Sequence, residues 1–401
     1  MPLTVLAHAD LVLPDAVLAA GLLVLEDDRI AAVEPAGARV PAGAATIDCA
    51  ECLIVPGFVD VHVHGVLGVD VLDGPHAVVQ VAERLPRYGV TSFCPTSVAC
   101  SSSDLDMLLR AVRETSGRSG AARVRGAHLE SNFINPDYRG AQPRECLRRP
   151  PAPLAAGTSE SIGIDSFTGD AVWRTMGEYA DVVAIVTLAP EIDGGLDLVR
   201  DLVGRGQRVS IGHSGASYEV ACQAIDAGVR HATHLFNRMS PLAHRAPGVP
   251  GAVLDRPEVA AEIICDGHHV HPALVRFAIA AKGVDRIMAI TDGTAGAGLR
   301  PGARARLGGR PIIVTERAAE LEDGTLAGNI LTMDGAFRML VQQVGLDVVA
   351  AARACATTPA KELDLLDAGA VRVGALADLV VLGRDLRVRQ TFVGGRAVFG
   401  G

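Results

Sequence analysis

Short β-rich runs recur along the chain from Ile54 onward, and segments with helical spacing of apolar residues separate them. Eight runs are present: Ile54–His64, Val90–Pro95, Val124–Glu130, Val182–Leu188, Arg208–His213, His231–His234, Val259–Cys265 and Arg286–Asp292. The candidate helices between them are Ala77–Tyr88, Leu105–Glu114, Leu196–Arg205, Tyr218–Ala227 and Pro272–Lys282. Alternating strands and helices are typical of a parallel sheet, and eight repeats predict a closed (β/α)₈ barrel of the α/β class.

The two chain ends show a different pattern. Short alternating runs, separated by turn signals, cover about the first 55 residues and return in the last part of the chain. Gly394-Gly395 is typical of a hairpin turn between two of these runs. We therefore expect residues 1–55 and 365–401 to form one small β-sandwich domain beside a barrel of residues 56–364.

Chain length and net charge indicate which classes of molecule the protein can bind. The 401 residues suffice for a barrel of ~250 residues plus an accessory unit. The formal net charge of −9 gives no long-range attraction for nucleic acid or an anionic membrane surface. No run reaches the ~18 apolar residues of a membrane span. We therefore expect a small-molecule substrate, and an anionic one must be captured by a local cationic cluster.

Two features indicate a reducing cytoplasm. The apolar stretch Leu11–Leu25 resembles the core of a signal peptide, but no Lys or Arg precedes it. The eight cysteines are scattered, except for Cys49 and Cys52, and no second pair stands at zinc-finger spacing. Ordinary packing is the preferred interpretation of the cysteines.

Polar residues suited to catalysis stand at the ends of the predicted barrel strands. They are His62, His64, Glu130, His213, His234 and Asp292. The loops that follow barrel strands form one face, so these side chains should converge on one cavity. Residues i and i+2 of a strand share a face, and His62-x-His64 can therefore present two imidazoles to one ion. A hydrogen-bonded pair of core histidines is the alternative, which the later strand-end histidines disfavour.

An anionic metal ligand and a general base can also be assigned. The chain has only Lys282 and Lys361, and neither stands where a carboxylated lysine would bridge two metals, so Glu130 is the candidate ligand. For His128, on the same strand face, we expect a structural role lower in the barrel. Asp292 can take a proton from an activated water and pass it to a leaving amine, or it can simply cap the strand end. The chemistry indicated is amide hydrolysis.

Several motifs resemble those of a known family. Pro56–Gly65 looks like the first-strand signature of amidohydrolases, and Ala377–Leu382 looks like their C-terminal motif. More specific motifs are His128-Leu129-Glu130, Val186–Glu191, Gly212-His213-Ser214, Ala232–Asn237, Asp266–Val270, Thr291-Asp292 and Leu326-Ala327-Gly328. In this order and spacing they resemble the N-acetylglucosamine-6-phosphate deacetylases, which release acetate and glucosamine 6-phosphate.

The resemblance implies a ligand set and a catalytic residue. The catalytic divalent metal would be held by Glu130, His213 and His234. Asp292 would act as general acid and base. His62 and His64 correspond to residues that bind a second metal in the members that carry one. Zinc is the first candidate and iron or another divalent ion the alternative, at one or two ions per chain.

The resemblance also implies a phosphate site. Asn237, the backbone near Arg238, Arg245 and His269 align with the phosphate-binding positions, and His269 would reach across the interface of a homodimer. An arginine offers a planar donor fork suited to phosphate. A surface salt bridge is the alternative role for Arg245.

Departures from the family pattern fall around the expected pocket. Glu130-Ser131-Asn132 replaces Glu-Gly-Pro, and Gln142 stands where a histidine near the substrate is expected. Gly65–Gly68 is a reduced glycine-rich stretch, and Asn329-Ile330 replaces a Ser/Thr pair. We expect Ser131 and Asn132 to add bulk beside the metal, Gln142 to contact the substrate, and substrate preference to have drifted.

Two other kinds of protein compete with this interpretation. An amidohydrolase for another N-acyl compound or a cyclic amide is the nearest enzyme, although the missing bridging lysine and the retained Arg245 and His269 disfavour a cyclic amide. A non-catalytic binding protein on an enzyme fold usually loses a ligand or the general base, and this sequence retains them.

Overall fold

The structure is a computed structural model that describes residues 3–151 and 167–400. Its strands are β1 (Thr4–Val12), β2 (Val17–Glu26), β3 (Arg29–Glu34), β4 (Ala45–Asp48), β5 (Cys52–Pro56), β6 (Phe58–Val63), β7 (Gly65–Val66), β8 (Val69–Asp70), β9 (Val90–Ser97), β10 (Arg123–Val124), β11 (Ala127–Glu130), β12 (Val183–Leu188), β13 (Arg208–Ile211), β14 (His231–Ala232), β15 (Ala260–Ile264), β16 (Ile287–Ile290), β17 (Arg304–Leu307), β18 (Arg310–Val314), β19 (Ala319–Glu320), β20 (Leu379–Gly383), β21 (Val388–Val393) and β22 (Arg396–Phe399).

The α-helices of the described residues are α1 (Ala77–Arg84), α2 (Ser102–Thr115), α3 (Gly169–Glu178), α4 (Gly195–Gly204), α5 (Tyr218–Asp226), α6 (Gly248–Asp255), α7 (Pro272–Lys282), α8 (Met333–Met339), α9 (Val348–Ala352) and α10 (Thr358–Glu362). None of them is long and apolar enough to cross a membrane. The predicted helix Pro272–Lys282 coincides with α7, whereas α3 and α6 were not predicted. Helix α6 contains a proline and two glycines, which carry little helix propensity.

Eight parallel strands form the predicted barrel. Their order is β6, β9 and then β11 to β16, with β10 paired beside β9. A parallel bridge between Val63 and Gly293 connects the first strand to the last. The backbone N–H groups of His64 and Gly65 both donate to the carbonyl of Gly293 at 2.8 Å. Strands β6 and β9 are buried throughout, as expected for a parallel sheet covered on both faces.

Strands from the two chain ends meet in one mixed eight-stranded sheet. Strand β5 pairs antiparallel with β20, which joins the N-terminal strands to the C-terminal ones. Leu6, Leu23, Ile54 and Phe392 lie in the core packed against this sheet. The predicted small β-domain from both chain ends is therefore present. We propose that it comprises residues 1–55 and 365–401 and that the barrel comprises 56–364.

The first predicted strand, Ile54–His64, is divided between the two sheets. Strand β5 belongs to the chain-end sheet and β6 to the barrel, with Gly57 between them. A side chain at Gly57 would place its Cβ 2.2 Å from Thr91 Oγ1, so this position needs the close approach that glycine allows. A three-stranded sheet of β17, β18 and β19, which was not predicted, follows the last barrel strand.

Candidate functional site

A cavity of about 480 Å³ opens at the C-terminal ends of the barrel strands. It brings together nine of the predicted site residues: His64, Glu130, Gln142, His213, His234, Asn237, Arg238, His269 and Asp292. His62 lies just beneath, fully buried. The convergence of strand-end side chains predicted from the sequence is therefore observed.

Glu130 is the centre of the first cluster. Its Oε1 lies 2.7 Å from His213 Nε2 and 2.9 Å from His234 Nε2, and the two imidazole nitrogens are 3.1 Å apart. All three side chains are at most 5% exposed. These donors come from the ends of three different strands, as the barrel geometry requires.

A second cluster adjoins the first. His62 Nε2 and His64 Nε2 lie 3.2 Å apart, and Asp292 Oδ1 lies 3.4 Å from the former and 3.3 Å from the latter. His64 Nε2 is 3.5 Å from Glu130 Oε2, so the two clusters are continuous. Nitrogen and oxygen donors that converge in this way could hold one or two divalent ions.

The imidazoles are oriented for metal binding. His213 Nδ1 lies 2.8 Å from the carbonyl of Tyr138, and His64 Nδ1 lies 3.0 Å from that of Thr96. A carbonyl can only accept, so in the neutral ring, the form that binds a metal, Nδ1 carries the proton and the Nε2 lone pair faces the cluster. Ligands of a tetrahedral zinc ion stand ~3.3 Å apart. The separations around Glu130 need to widen only slightly to fit an ion.

The electrostatics of the cluster also favour a cation. Burial opposes the ionisation of Glu130, but the imidazoles of His213 and His234 outweigh it and hold its pKa well below the usual range. Burial likewise opposes protonation of His64, yet hydrogen bonds to Asp292 and Glu130 raise its pKa to about 10. Carboxylates buried this closely need compensating positive charge, which a divalent ion supplies.

Three site residues have unusual backbone conformations. The φ angles of His213, His234 and Asp292 are 47°, 34° and 48°, in the left-handed region that side chains rarely adopt. Each stands two residues after the end of a barrel strand, and this conformation turns its side chain into the cavity. Backbone strain of this kind is concentrated at functional sites.

Two acidic residues that the sequence did not single out support the site. Glu262 is fully buried, and its Oε2 accepts from His62 Nδ1 at 3.0 Å. Asp60 accepts from Thr291 Oγ1 at 2.6 Å, and burial raises its pKa to about 7. The signal for Glu262 was a single acid within the apolar run Val259–Cys265.

His128 lies in the barrel interior and outside the cavity lining, as expected. Its Nδ1 donates to the carbonyl of Val61 at 2.9 Å, and Nε2 lies 2.7 Å from Thr187 Oγ1. Burial lowers the pKa of His128 to about 4, so the ring is neutral near pH 7. Although His128 lies close to His62 and Glu262, these two hydrogen bonds occupy both of its ring nitrogens and favour a structural role over metal binding.

The expectation for Ser131 and Asn132 was wrong. Ser131 Oγ donates to the carbonyl of Thr187 at 2.6 Å, and Asn132 Nδ2 donates to the carbonyls of Cys100 and Cys146, both at 2.7 Å. Both side chains are buried but neither lines the cavity. Buried polar groups must find partners, and these two side chains find them in backbone carbonyls of β12 and of the segments around Cys100 and Cys146.

Gln142, in contrast, lines the cavity. Its Oε1 accepts from the backbone N–H of Ala99 at 2.7 Å, which fixes the orientation of the side-chain amide. Nε2 consequently points at the cluster and donates to Glu130 Oε2. A hydrogen-bond donor therefore stands beside the candidate metal ligand.

Only some of the predicted phosphate-binding residues line the cavity. Asn237, Arg238 and His269 line the cavity, whereas Arg245 is exposed and lies outside its lining. His269 Nδ1 donates to Asp266 Oδ2 at 2.7 Å, so the ring is held within the cavity of its own chain. The expectation that His269 reaches across a dimer interface does not match this placement.

The sequence profile described as Amidohydrolase family matches residues 53–398, and the barrel with its strand-end donors agrees with it. The chain belongs to this family of hydrolases, whose members generally use a divalent metal. The chain is thus an enzyme that hydrolyses an amide bond.

Comparison with individual relatives assigns the chain to a smaller group within this family. It is 32% identical to the N-acetylglucosamine-6-phosphate deacetylase of Bacillus subtilis (strain 168), over 94% of this chain and 93% of that protein. It is also 32% identical to the N-acetylgalactosamine-6-phosphate deacetylase of Escherichia coli O157:H7, over 93% of each. A Mycobacterium smegmatis deacetylase mutant in complex with N-acetyl-D-glucosamine-6-phosphate superposes with a TM-score of 0.87, at 31% identity, over 99% of this chain and 100% of that one. Within the amidohydrolases, the chain belongs with the N-acetylglucosamine-6-phosphate deacetylases.

Proposed function

We propose that the protein removes the N-acetyl group of an amino-sugar phosphate, with N-acetylglucosamine 6-phosphate giving glucosamine 6-phosphate and acetate. The observation that carries this proposal is one cavity in which a Glu130-centred donor cluster, the carboxylate of Asp292 and the cavity-wall ring of His269 stand together. The donor cluster and Asp292 suit hydrolysis of an amide, and His269 suits the binding of an anionic substituent of the substrate.

Glu130, His213 and His234 would hold the catalytic ion, and zinc fits their nitrogen and oxygen donors. Iron or another divalent ion is the alternative. An ion there would polarise the acyl carbonyl and lower the pKa of water from 15.7 toward ~7. His62 and His64 would either hold a second ion or orient Asp292.

Asp292 is placed to move the proton. Burial raises its pKa, but the imidazoles of His62 and His64 outweigh this effect and hold the pKa below the usual range. The carboxylate is therefore ionised before the reaction and can accept the proton of the attacking water. It then delivers that proton to the amide nitrogen, so that the sugar leaves as an amine.

The phosphate would be bound by His269, Asn237 and the backbone N–H of Arg238. Asp266 orients the His269 ring through Nδ1, which leaves Nε2 available to the ligand. Arg245 lies outside the cavity of its own chain and could contribute only to a neighbouring one, which favours a homodimer. Size-exclusion chromatography with light scattering of the wild type tests this arrangement, and a monomer that is fully active would contradict it.

The experiment for the function pairs metal analysis with product detection. Purified protein should contain a divalent metal and release acetate from N-acetylglucosamine 6-phosphate far faster than from unphosphorylated N-acetylglucosamine. N-acetylgalactosamine 6-phosphate belongs in the same series, because the Escherichia coli relative is named for it. Absence of acetate release from every N-acetylated sugar phosphate would refute the proposal.

A further inference from the structure

A second recess, of about 630 Å³, opens beside the active-site cavity. The two share four lining residues, Asp137, Gly140, Arg238 and Leu326, so that they are continuous. Both volumes lie within the ~300–1,000 Å³ usual for small-molecule sites. A substrate bound over the Glu130-centred donor cluster can therefore extend into the recess.

The recess is cationic, in a chain whose net charge is −9. Arg139, Arg144 and Arg238 line it, and Asp137 is the one carboxylate among its lining residues. Arg139 donates to the carbonyls of Gly140 and Gln142, which leave its charge uncompensated. Among the ion pairs of residues 3–151 and 167–400, none involves these three arginines.

Arg238 is held at the boundary between the two cavities. A Cβ at Gly140 would lie 2.8 Å from Arg238 Nε, 3.2 Å from Cδ and 3.3 Å from Cγ. The arginine side chain therefore crosses directly over the glycine. Gly140 has a φ of 59° and Arg238 a φ of 50°, so both backbones adopt the left-handed conformation at this contact. This close packing places the Arg238 guanidinium where it can contact a ligand in either cavity.

We infer that this recess binds a second anionic group of the substrate. The inference rests on the proposed function: the substrate is an N-acetylated amino sugar that carries, besides its 6-phosphate, a further phosphate or carboxylate. Three guanidinium groups around an open recess offer the planar, charge-assisted donors that such oxyanions bind. Asn237 and His269 line the active-site cavity but not the recess, so the two anionic groups would share only Arg238, through its backbone N–H on one side and its guanidinium on the other.

Three substrates test the inference. They are N-acetylglucosamine 6-phosphate, N-acetylglucosamine 1,6-bisphosphate and the 3-O-lactyl ether of N-acetylglucosamine 6-phosphate. The second carries an extra phosphate and the third an extra carboxylate, which distinguishes the two chemistries. We expect kcat/KM for at least one substrate with two anionic groups to exceed that of the monophosphate about tenfold or more, and the advantage to shrink as salt screens the arginines.

Substitutions test whether the recess contributes to substrate binding independently of the rest of the site. Arg144→Ala should remove most of the advantage while leaving kcat/KM for the monophosphate unchanged, and Arg144→Lys should retain part of it. Arg149→Ala is the matched control, because Arg149 is exposed nearby but lines neither cavity.

The outcomes distinguish the inference from the proposed function. Acetate release from the monophosphate without any preference for a substrate with two anionic groups overturns the inference alone. An equal loss for all three substrates in Arg144→Ala also overturns it, because the arginine would then serve the site as a whole. No release from any of them overturns the proposed function itself.

Discussion

The floor and the outer wall of the active-site cavity are built in different ways. The floor consists of buried side chains from strand ends, and the rings of His213 and His64 are fixed by backbone carbonyls. The outer wall consists of loop residues such as Arg238, and the recess beside it is lined by further loop residues such as Arg144; both arginines are exposed. A rigid floor suits chemistry that needs fixed geometry, whereas loop side chains can change with the substrate. The floor should therefore set the reaction and the wall the choice of molecule.

The largest effect should follow removal of a floor ligand. His213→Ala and His234→Ala should lose the metal, and activity should fall by more than the ~10²–10⁴ that general acid and base catalysis contributes, because carbonyl polarisation is lost as well. Metal analysis and acetate release measure both effects. Arg144→Ala, a variant of the neighbouring recess, should keep its metal. Unchanged metal content in both histidine variants would remove Glu130, His213 and His234 as the ligand set.

The next largest effect concerns Asp292, which belongs to the floor but is proposed to move a proton. Asp292→Asn should keep the metal and the fold, while kcat falls ~10²–10⁴-fold, because an amide cannot carry the proton. Metal content and thermal unfolding are the controls. Turnover close to that of the wild type would take Asp292 out of the mechanism.

The third prediction concerns Glu262, which orients the ring of His62 at the base of the cavity. Glu262→Gln should weaken metal binding ~10–100-fold, since the carboxylate that orients His62 is replaced by a weaker acceptor. The chain offers a matched control in Glu362, whose Oε2 lies 3.2 Å from His231 Nε2 at the start of β14, away from the cavity. Glu362→Gln should leave metal affinity unchanged. Equal losses in the two variants would mean that Glu262 acts only through general stability.

The floor could be predicted from the sequence and much of its surroundings could not. Strand periodicity is local, so a polar residue at a strand end, such as His213 or Asp292, can be placed on the active-site face. The role of Glu262 depends on a partner two hundred residues away, and the lone acid in an apolar run marks the position without identifying that partner. The directions of Ser131 and Asn132 were missed because both side chains bind backbone carbonyls, one in β12 and one at Cys100, and no sequence pattern identifies these partners.

The smallest effect concerns Gln142, where the floor meets the wall. Of the family departures noted in the sequence, Gln142 lines the cavity, while Ser131, Asn132 and Asn329 do not. We therefore propose that any drift in substrate preference acts mainly through this amide and the arginine-lined recess. The amide is fixed by Ala99 and can donate a hydrogen bond, but unlike an imidazole it cannot carry a proton or charge.

Gln142→His should therefore raise kcat/KM for N-acetylglucosamine 6-phosphate, by about tenfold at most, because one hydrogen-bonding group replaces another of similar reach. The wild type should fall below ~10⁴ M⁻¹s⁻¹ on this substrate, the lower end of the usual enzyme range. Steady-state kinetics on N-acetylglucosamine 6-phosphate and N-acetylgalactosamine 6-phosphate, for both proteins, measure the change. A wild type that exceeds this value and prefers N-acetylglucosamine 6-phosphate to every alternative would show that the departures are neutral. The wall would then be as fixed in its choice of substrate as the floor is in its chemistry.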